Sequence, residues 1–131
     1  MQTTAVKTKI ISSLEKVFAD EELICDSLHQ DIMLKNEVYS FQLAYWGTEL
    51  YRNVRVSIDS TLTEYISMYR VGLIPVELPL YPNHDDNVLR TTPGLYPDLL
   101  EPITKEGIVI LPGQWRSIWF SLAAADGLPP G

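Results

Sequence analysis

The stretch EVYSFQLAYW, from Glu37 to Trp46, decides the fold class. Its side chains alternate with a period of two, and most of its residues favour the extended conformation. One face would carry Tyr39, Phe41, Leu43 and Tyr45, and the other Ser40, Gln42 and Ala44. This pattern predicts a half-buried β-strand.

Similar patterns recur along the chain. We predict further strands at Leu28–Lys35, Tyr51–Ile58, Glu64–Glu77 and Gln114–Leu122. The short stretch Gly47–Glu49 suits a hairpin-like connection. In the third of these strands, Gly72 indicates a bulge or bend and Pro75 an edge or a strand end. In the last one, the core face would consist of Ile118, Phe120 and Leu122.

The segment before Asp20 allows two interpretations. Ser12 and Glu15 have the spacing of a capping box, which predicts a short helix. Ile10 and Ile11, with the apolar residues that follow, suit a strand equally well. A strand is preferred because the rest of the chain reads as β.

The stretch from 78 to 107 holds five prolines, which remove backbone donors that a sheet needs. It is expected to be one long loop. The predicted fold is therefore all-β, an antiparallel sandwich of the immunoglobulin-like or jelly-roll-like kind, which could lack its last strand. Residues 1–12 would be an N-terminal extension or first strand, 13–127 the sandwich with its loop at 78–107, and 128–131 a linker or truncation point.

The composition limits the classes of partner that we expect the chain to bind. The formal net charge is −7 and the isoelectric point is near 4.7, so nucleic acids and anionic membranes are not expected to bind. Cys25 is the single cysteine, so no internal disulfide is possible. No signal-peptide or membrane-spanning stretch occurs, which predicts a cytoplasmic protein if Met1 is the native start.

Few residues suggest catalysis. His84, Asp85 and Asp86 could hold a cation, but their spacing favours a solvated loop. Asp98 and Glu101 are carboxylates three residues apart, a weak match to a glycosidase acid pair. Neither His29 nor Cys25 lies in a recognisable triad motif, and no phosphate-loop, dinucleotide or zinc motif occurs. The chain is expected to be no enzyme by itself, with no catalytic residue, cofactor or metal.

Trp115 and Trp119 lie opposite the core face of the last predicted strand, so both would point outward. The Pro-rich loop could fold over them, a neighbouring domain could cover them, or they could stack on sugar rings. Together with Tyr96 and Asp98 they are the candidate interface or glycan contacts.

The order of six motifs resembles the N-terminal β-sandwich domain of proteins related to glycoside hydrolase family 123. The motifs are SLEKVFAD at 13–20, KNEVYSFQL at 35–43, residues 50–56, YRVGLIPV at 69–76, PGLYPDLL at 93–100 and QWRSIWF at 114–120. The first would correspond to an opening strand. The resemblance, which covers roughly 13–131, implies an accessory domain that packs on a C-terminal TIM-barrel catalytic domain absent from this chain. The family's acid pair lies in that barrel, so no catalytic residue is carried over.

Overall fold

A computed structural model describes residues 6–28, 37–76, 94–104 and 106–123. Their strands form two sheets. Five strands pair in the order β1-β2-β7-β4-β5, and β3 pairs with β6; every pairing is antiparallel. The strands are β1 Val6–Ser12, β2 Val38–Gly47, β3 Tyr51–Val54, β4 Ile66–Val76, β5 Gly94–Pro102, β6 Ile108–Ile110 and β7 Arg116–Ala123, and a 3₁₀ turn spans Thr63–Tyr65. The all-β, sandwich-like prediction is confirmed.

The main core lies between the sheets. The inner face of the five-stranded sheet is the one that faces β3 and β6. There Phe41 of β2 lies opposite Phe120 of β7, and their rings stack with centroids 5.0 Å apart. Ile118, Ile108 and Ile110 are buried in the same cluster. Full burial of one such aliphatic side chain stabilises the fold by about 1.5–3 kcal/mol. The alternation predicted for 37–46 and 114–122 is thus confirmed.

The chain changes sheets after β2, so the hairpin prediction for Gly47–Glu49 is wrong. β2 belongs to the five-stranded sheet, whereas β3 pairs with β6. The two layers approach each other closely at Gly47, because a Cβ there would come within 2.7 Å of the Ile110 side chain. Its carbonyl also accepts a hydrogen bond of 2.8 Å from the Gly113 amide.

β4 has the predicted irregularity at Gly72. Its pairing with β5 shifts register between Gly72 and Ile74, as a bulge does, and Pro75 lies next to the last residue of the strand. Val71 is buried on one face of β4 while Met68 packs into the core on the other. β4 is thus buried on both faces, which agrees with its apolar residues on both faces in the sequence.

The loop prediction for 78–107 is wrong over residues 94–102, which form β5. β5 is an edge strand of the described sheet, so Pro97 and Pro102 cost few ladder hydrogen bonds. The rest of that prediction at 78–93, with His84, Asp85 and Asp86, lies outside the described residues. So do His29, most of the predicted strand at 28–35, and residues 124–131.

Residues 13–28, which we name the covering segment, cross the outer face of the five-stranded sheet. They contain neither helix nor strand, so both the helix and the preferred strand interpretation are wrong from Ser13 onward, although Val6–Ser12 is a strand. The Ser12 hydroxyl accepts a bond from the Leu14 amide, which makes a turn rather than a helix cap. Val17 packs with Ile11 and Ala44 in a second buried cluster.

Candidate functional site: the tryptophan face

All three tryptophans of the chain lie on the outer face of the five-stranded sheet, which we call the tryptophan face. Trp119 lies opposite Gln42 in the register of β7 and β2, and it alternates with the inward Ile118. Trp115 packs against the second buried cluster, and its ring centroid lies 6.5 Å from that of Trp46. Four residues of extended chain place Trp115 about 13 Å from Trp119.

Gln42 fastens the covering segment to this face. Its amide nitrogen donates to the Ser12 carbonyl at 3.1 Å and to the Glu15 carbonyl at 2.7 Å. Its amide oxygen accepts from the Ser117 hydroxyl at 3.0 Å. Both Gln42 and Ser117 are buried, so these bonds satisfy groups that water cannot reach. The segment is therefore held by the bond from Gln42 to Glu15 as well as by Val17.

The covering segment leaves one cleft beside Trp119, with a volume of about 160 Å³. Its walls include Gln42, Leu100 and Asp98. Asp98 forms an ion pair with Lys16 of the segment. Both side chains are 43% exposed, so this pair is expected to contribute at most about 1 kcal/mol. The Trp119 cleft thus combines an aromatic ring with a buried amide and a solvated ion pair.

A second cleft, the Trp46 cleft, lies between the segment and the paired rings of Trp46 and Trp115. Its volume is about 300 Å³. The Lys7 ammonium lies 4.8 Å from the centroid of the Trp46 ring, within the range of a cation–π contact. The remaining lining residues are Ala19, Asp20, Glu21, Glu22 and Gly113.

The structure separates the four residues that the sequence proposed. Trp119 and Asp98 line the Trp119 cleft, and Tyr96 packs edge-on against Phe18 of the covering segment, with centroids 5.6 Å apart. Trp115 lines the other cleft. Trp115 and Trp119 do lie opposite the core face, and both are half-buried. The covering segment packs against Trp115. The alternative in which the Pro-rich loop folds over the tryptophans involves residues 78–93, which lie outside the described part of the chain.

Sequence reasoning missed Trp46, Lys16 and Gln42. Trp46 could have been found, because it has the same parity in β2 as Gln42 and Ala44 and therefore belongs to the outer face. Lys16 reaches Asp98 only through the path of the covering segment, and they are 82 residues apart. No local pattern predicts that contact.

Asp98 and Glu101 do not form an acid pair across one site. Asp98 pairs with Lys16 on the outer side, whereas Glu101 pairs with Arg70, whose neighbour in the ladder is the core residue Ile118. The two carboxylates therefore point to opposite faces of the sheet. Within the described ranges, no group of three or more His, Cys, Asp or Glu residues has a metal-binding arrangement.

Cys25 is half-buried beside β1, where its carbonyl accepts a hydrogen bond from Lys9. Burial raises the pKa of the Cys25 thiol, Lys9 opposes the rise, and Glu15 and Asp26 add to it. A raised pKa disfavours the thiolate that a nucleophilic cysteine needs. Separately, no helix in the described part of the chain is long and apolar enough to cross a membrane.

Compared with known proteins, the chain matches no protein-family model and no curated protein sequence.

Proposed function

We propose that this chain is a non-catalytic accessory domain that docks on a neighbouring domain through its tryptophan face. One observation carries the proposal: the outer layer that holds the tryptophans also holds Leu14 and Ile24, which are 88% and 86% exposed. Large aliphatic side chains this exposed, in the same outer layer as three half-buried tryptophans, make that layer a candidate contact surface. Surfaces of that composition usually mark a contact with another protein surface.

The size of the clefts supports docking over the burial of a substrate. Pockets that enclose a drug-sized ligand measure about 300–1,000 Å³. The Trp119 cleft is smaller, at about 160 Å³, and the Trp46 cleft is at the lower limit, at about 300 Å³. Contact between domains needs only shallow clefts over about 600–1,500 Å² of surface. The exposed apolar side chains of the covering segment would supply part of that area.

The identity of the partner follows from the resemblance alone. The family-like order of motifs implies a C-terminal TIM-barrel catalytic domain of a glycoside hydrolase-like parent chain. The pairing of Asp98 with Lys16 and of Glu101 with Arg70 agrees with an accessory role, because both carboxylates already have structural partners.

Docking is tested in the native protein, isolated through a tag at the genomic copy. A mass several times 14.9 kDa is expected, since the domain would belong to a longer polypeptide. Leu14→Ser and Trp119→Ser should then lower the melting temperature of the parent protein, while Leu14→Ser leaves the isolated domain within about 0.5 kcal/mol of the wild type.

Val109→Ser is the matched control, because Val109 is 42% exposed on β6, in the opposite layer. A parent protein whose melting temperature responds equally to Leu14→Ser and Val109→Ser would contradict docking through this face. A native mass near 14.9 kDa would contradict the accessory role itself.

A second candidate function is glycan binding. It is favoured by the presence of Lys16 and Asp98 beside Trp119 in one cleft, since sugars bind by stacking on a ring while polar groups bond their hydroxyls. Tryptophan fluorescence of the isolated domain during titration with a broad glycan panel tests it. Binding that Trp119→Ser abolishes and Val109→Ser preserves would support the module, and no response to any glycan would refute it.

A further inference from the structure

The Trp46 cleft has two aromatic walls. The rings of Trp46 and Trp115 meet at an interplanar angle of 38°, so they form an open wedge rather than a closed stack. Gly113 also lines the cleft, and no atom of the described residues lies within 4 Å of where its Cβ would stand, so the described part of the chain leaves the cleft open at that point. A flat group of a few heavy atoms could therefore contact both rings.

The charges around this wedge favour a cation. Among the described lining residues, Asp20, Glu21 and Glu22 contribute three carboxylates and Lys7 contributes one ammonium. The faces of indole rings also carry negative electrostatic potential. Lys7 lies directly across from Trp46 in the register of β1 and β2, and its position over the ring shows that a cation is accommodated there.

We propose that the Trp46 cleft receives an arginine side chain from the surface of the docking partner, in place of Lys7. A guanidinium is planar, stacks on aromatic faces, sheds water more easily than an ammonium and can bond two carboxylate oxygens at once. Arginine is also enriched at the centres of protein interfaces. This inference depends on the proposed docking function and adds the chemistry of the partner.

The test observes the three indole N–H signals of the ¹⁵N-labelled chain during titration with N-acetyl-arginine amide. We expect the Trp46 and Trp115 signals to shift with half-saturation in the millimolar range, while the Trp119 signal serves as the internal control. The matched neutral ligand is N-acetyl-citrulline amide, which has nearly the same shape without the charge. It should bind at least tenfold more weakly.

Two exposed residues provide variants that leave the fold intact. Lys7→Gln removes the internal competitor and should strengthen arginine binding about two- to fivefold, the range of an exposed cation–π contact. Glu22→Gln should weaken it by a similar factor. Equal binding of arginine and citrulline amides, or an unchanged or weaker affinity in Lys7→Gln, would overturn the proposal.

The two proposals can fail separately. If arginine amide does not bind but Leu14→Ser still destabilises the parent protein, the arginine inference is wrong and docking stands. If arginine amide binds as expected but Leu14→Ser and Trp119→Ser have no effect on the parent, the cleft takes the predicted cation and docking through the tryptophan face is wrong.

Discussion

Replacing Gln42 by leucine should loosen the layer that forms both clefts. Gln42 is 3% exposed and makes three hydrogen bonds: to the last residue of β1, to Glu15 of the covering segment and to Ser117 of β7. Leucine has a similar size, so the substitution removes the polar contacts without leaving a large cavity. The loss of stability then measures how strongly these bonds hold the segment.

The magnitude follows from the groups left behind. Each of the three bonds contributes about 0.5–1.5 kcal/mol net, and a buried group left without a partner costs about 1–3 kcal/mol. The hydroxyl of Ser117, which is 1% exposed, would be such a group. The greater burial of apolar surface by leucine offsets part of this cost. We expect Gln42→Leu to lower the free energy of unfolding by about 2–4 kcal/mol.

Urea unfolding followed by far-ultraviolet circular dichroism measures the loss. Acrylamide quenching of tryptophan fluorescence should also rise, because the segment would detach from Trp115 and Trp119. The double variant Gln42→Leu, Ser117→Ala should recover about 1 kcal/mol relative to the single one, since it deletes the orphaned hydroxyl. A single variant within 0.5 kcal/mol of wild type, with unchanged quenching, would refute the reasoning.

Two further predictions concern Tyr45 and a pair of glycines. Burial raises the pKa of Tyr45, and Arg116 and Arg70 oppose the rise. The folded state therefore favours the neutral phenol. The stability that this preference contributes is present below about pH 10 and is lost as the pH rises through the folded-state pKa. Urea unfolding from pH 9 to 11 should therefore show a shallower decline for Tyr45→Phe, and identical declines would exclude Tyr45 as the group. Gly107 and Gly113 both have positive φ angles, of 85° and 70°, but a Cβ at Gly107 would collide with the Val54 carbonyl, whereas Gly113 has free space. Gly107→Ala should cost about 3 kcal/mol or more and Gly113→Ala about 1–2 kcal/mol, and equal losses would show that the collision is relieved.

The strands that form the core could be predicted because their faces differ. β2 and β7 present mainly large apolar side chains to the opposite sheet, whereas serines, Gln42 and Ala44 accompany the tryptophans on the outer face, so their period of two is visible in the sequence. Gly72 was also interpretable, since a glycine within a strand pattern indicates a bulge. The local alternation of side chains was therefore enough to predict the fold class and the face of the sheet on which Trp119 lies.

The remaining features depend on contacts between distant residues. β5 could not be predicted from composition. Its prolines would be incompatible with a central strand, but an edge strand tolerates them. The sheet change after Gly47 depends on the close approach of Ile110, which is 63 positions later. The clefts could not be predicted because a segment without regular structure forms one wall of each.

The covering segment links the stability of this domain to its proposed function. It buries Val17 against the sheet, and it carries five acidic residues and one lysine. The one segment thus closes the second core, shapes both clefts and gives the Trp46 cleft its acidic residues. Any substitution that loosens the segment must change the clefts as well as the free energy of unfolding. A loss of binding in Gln42→Leu would therefore not make Gln42 a binding residue, whereas a loss in Glu22→Gln with unchanged stability would identify a direct contact.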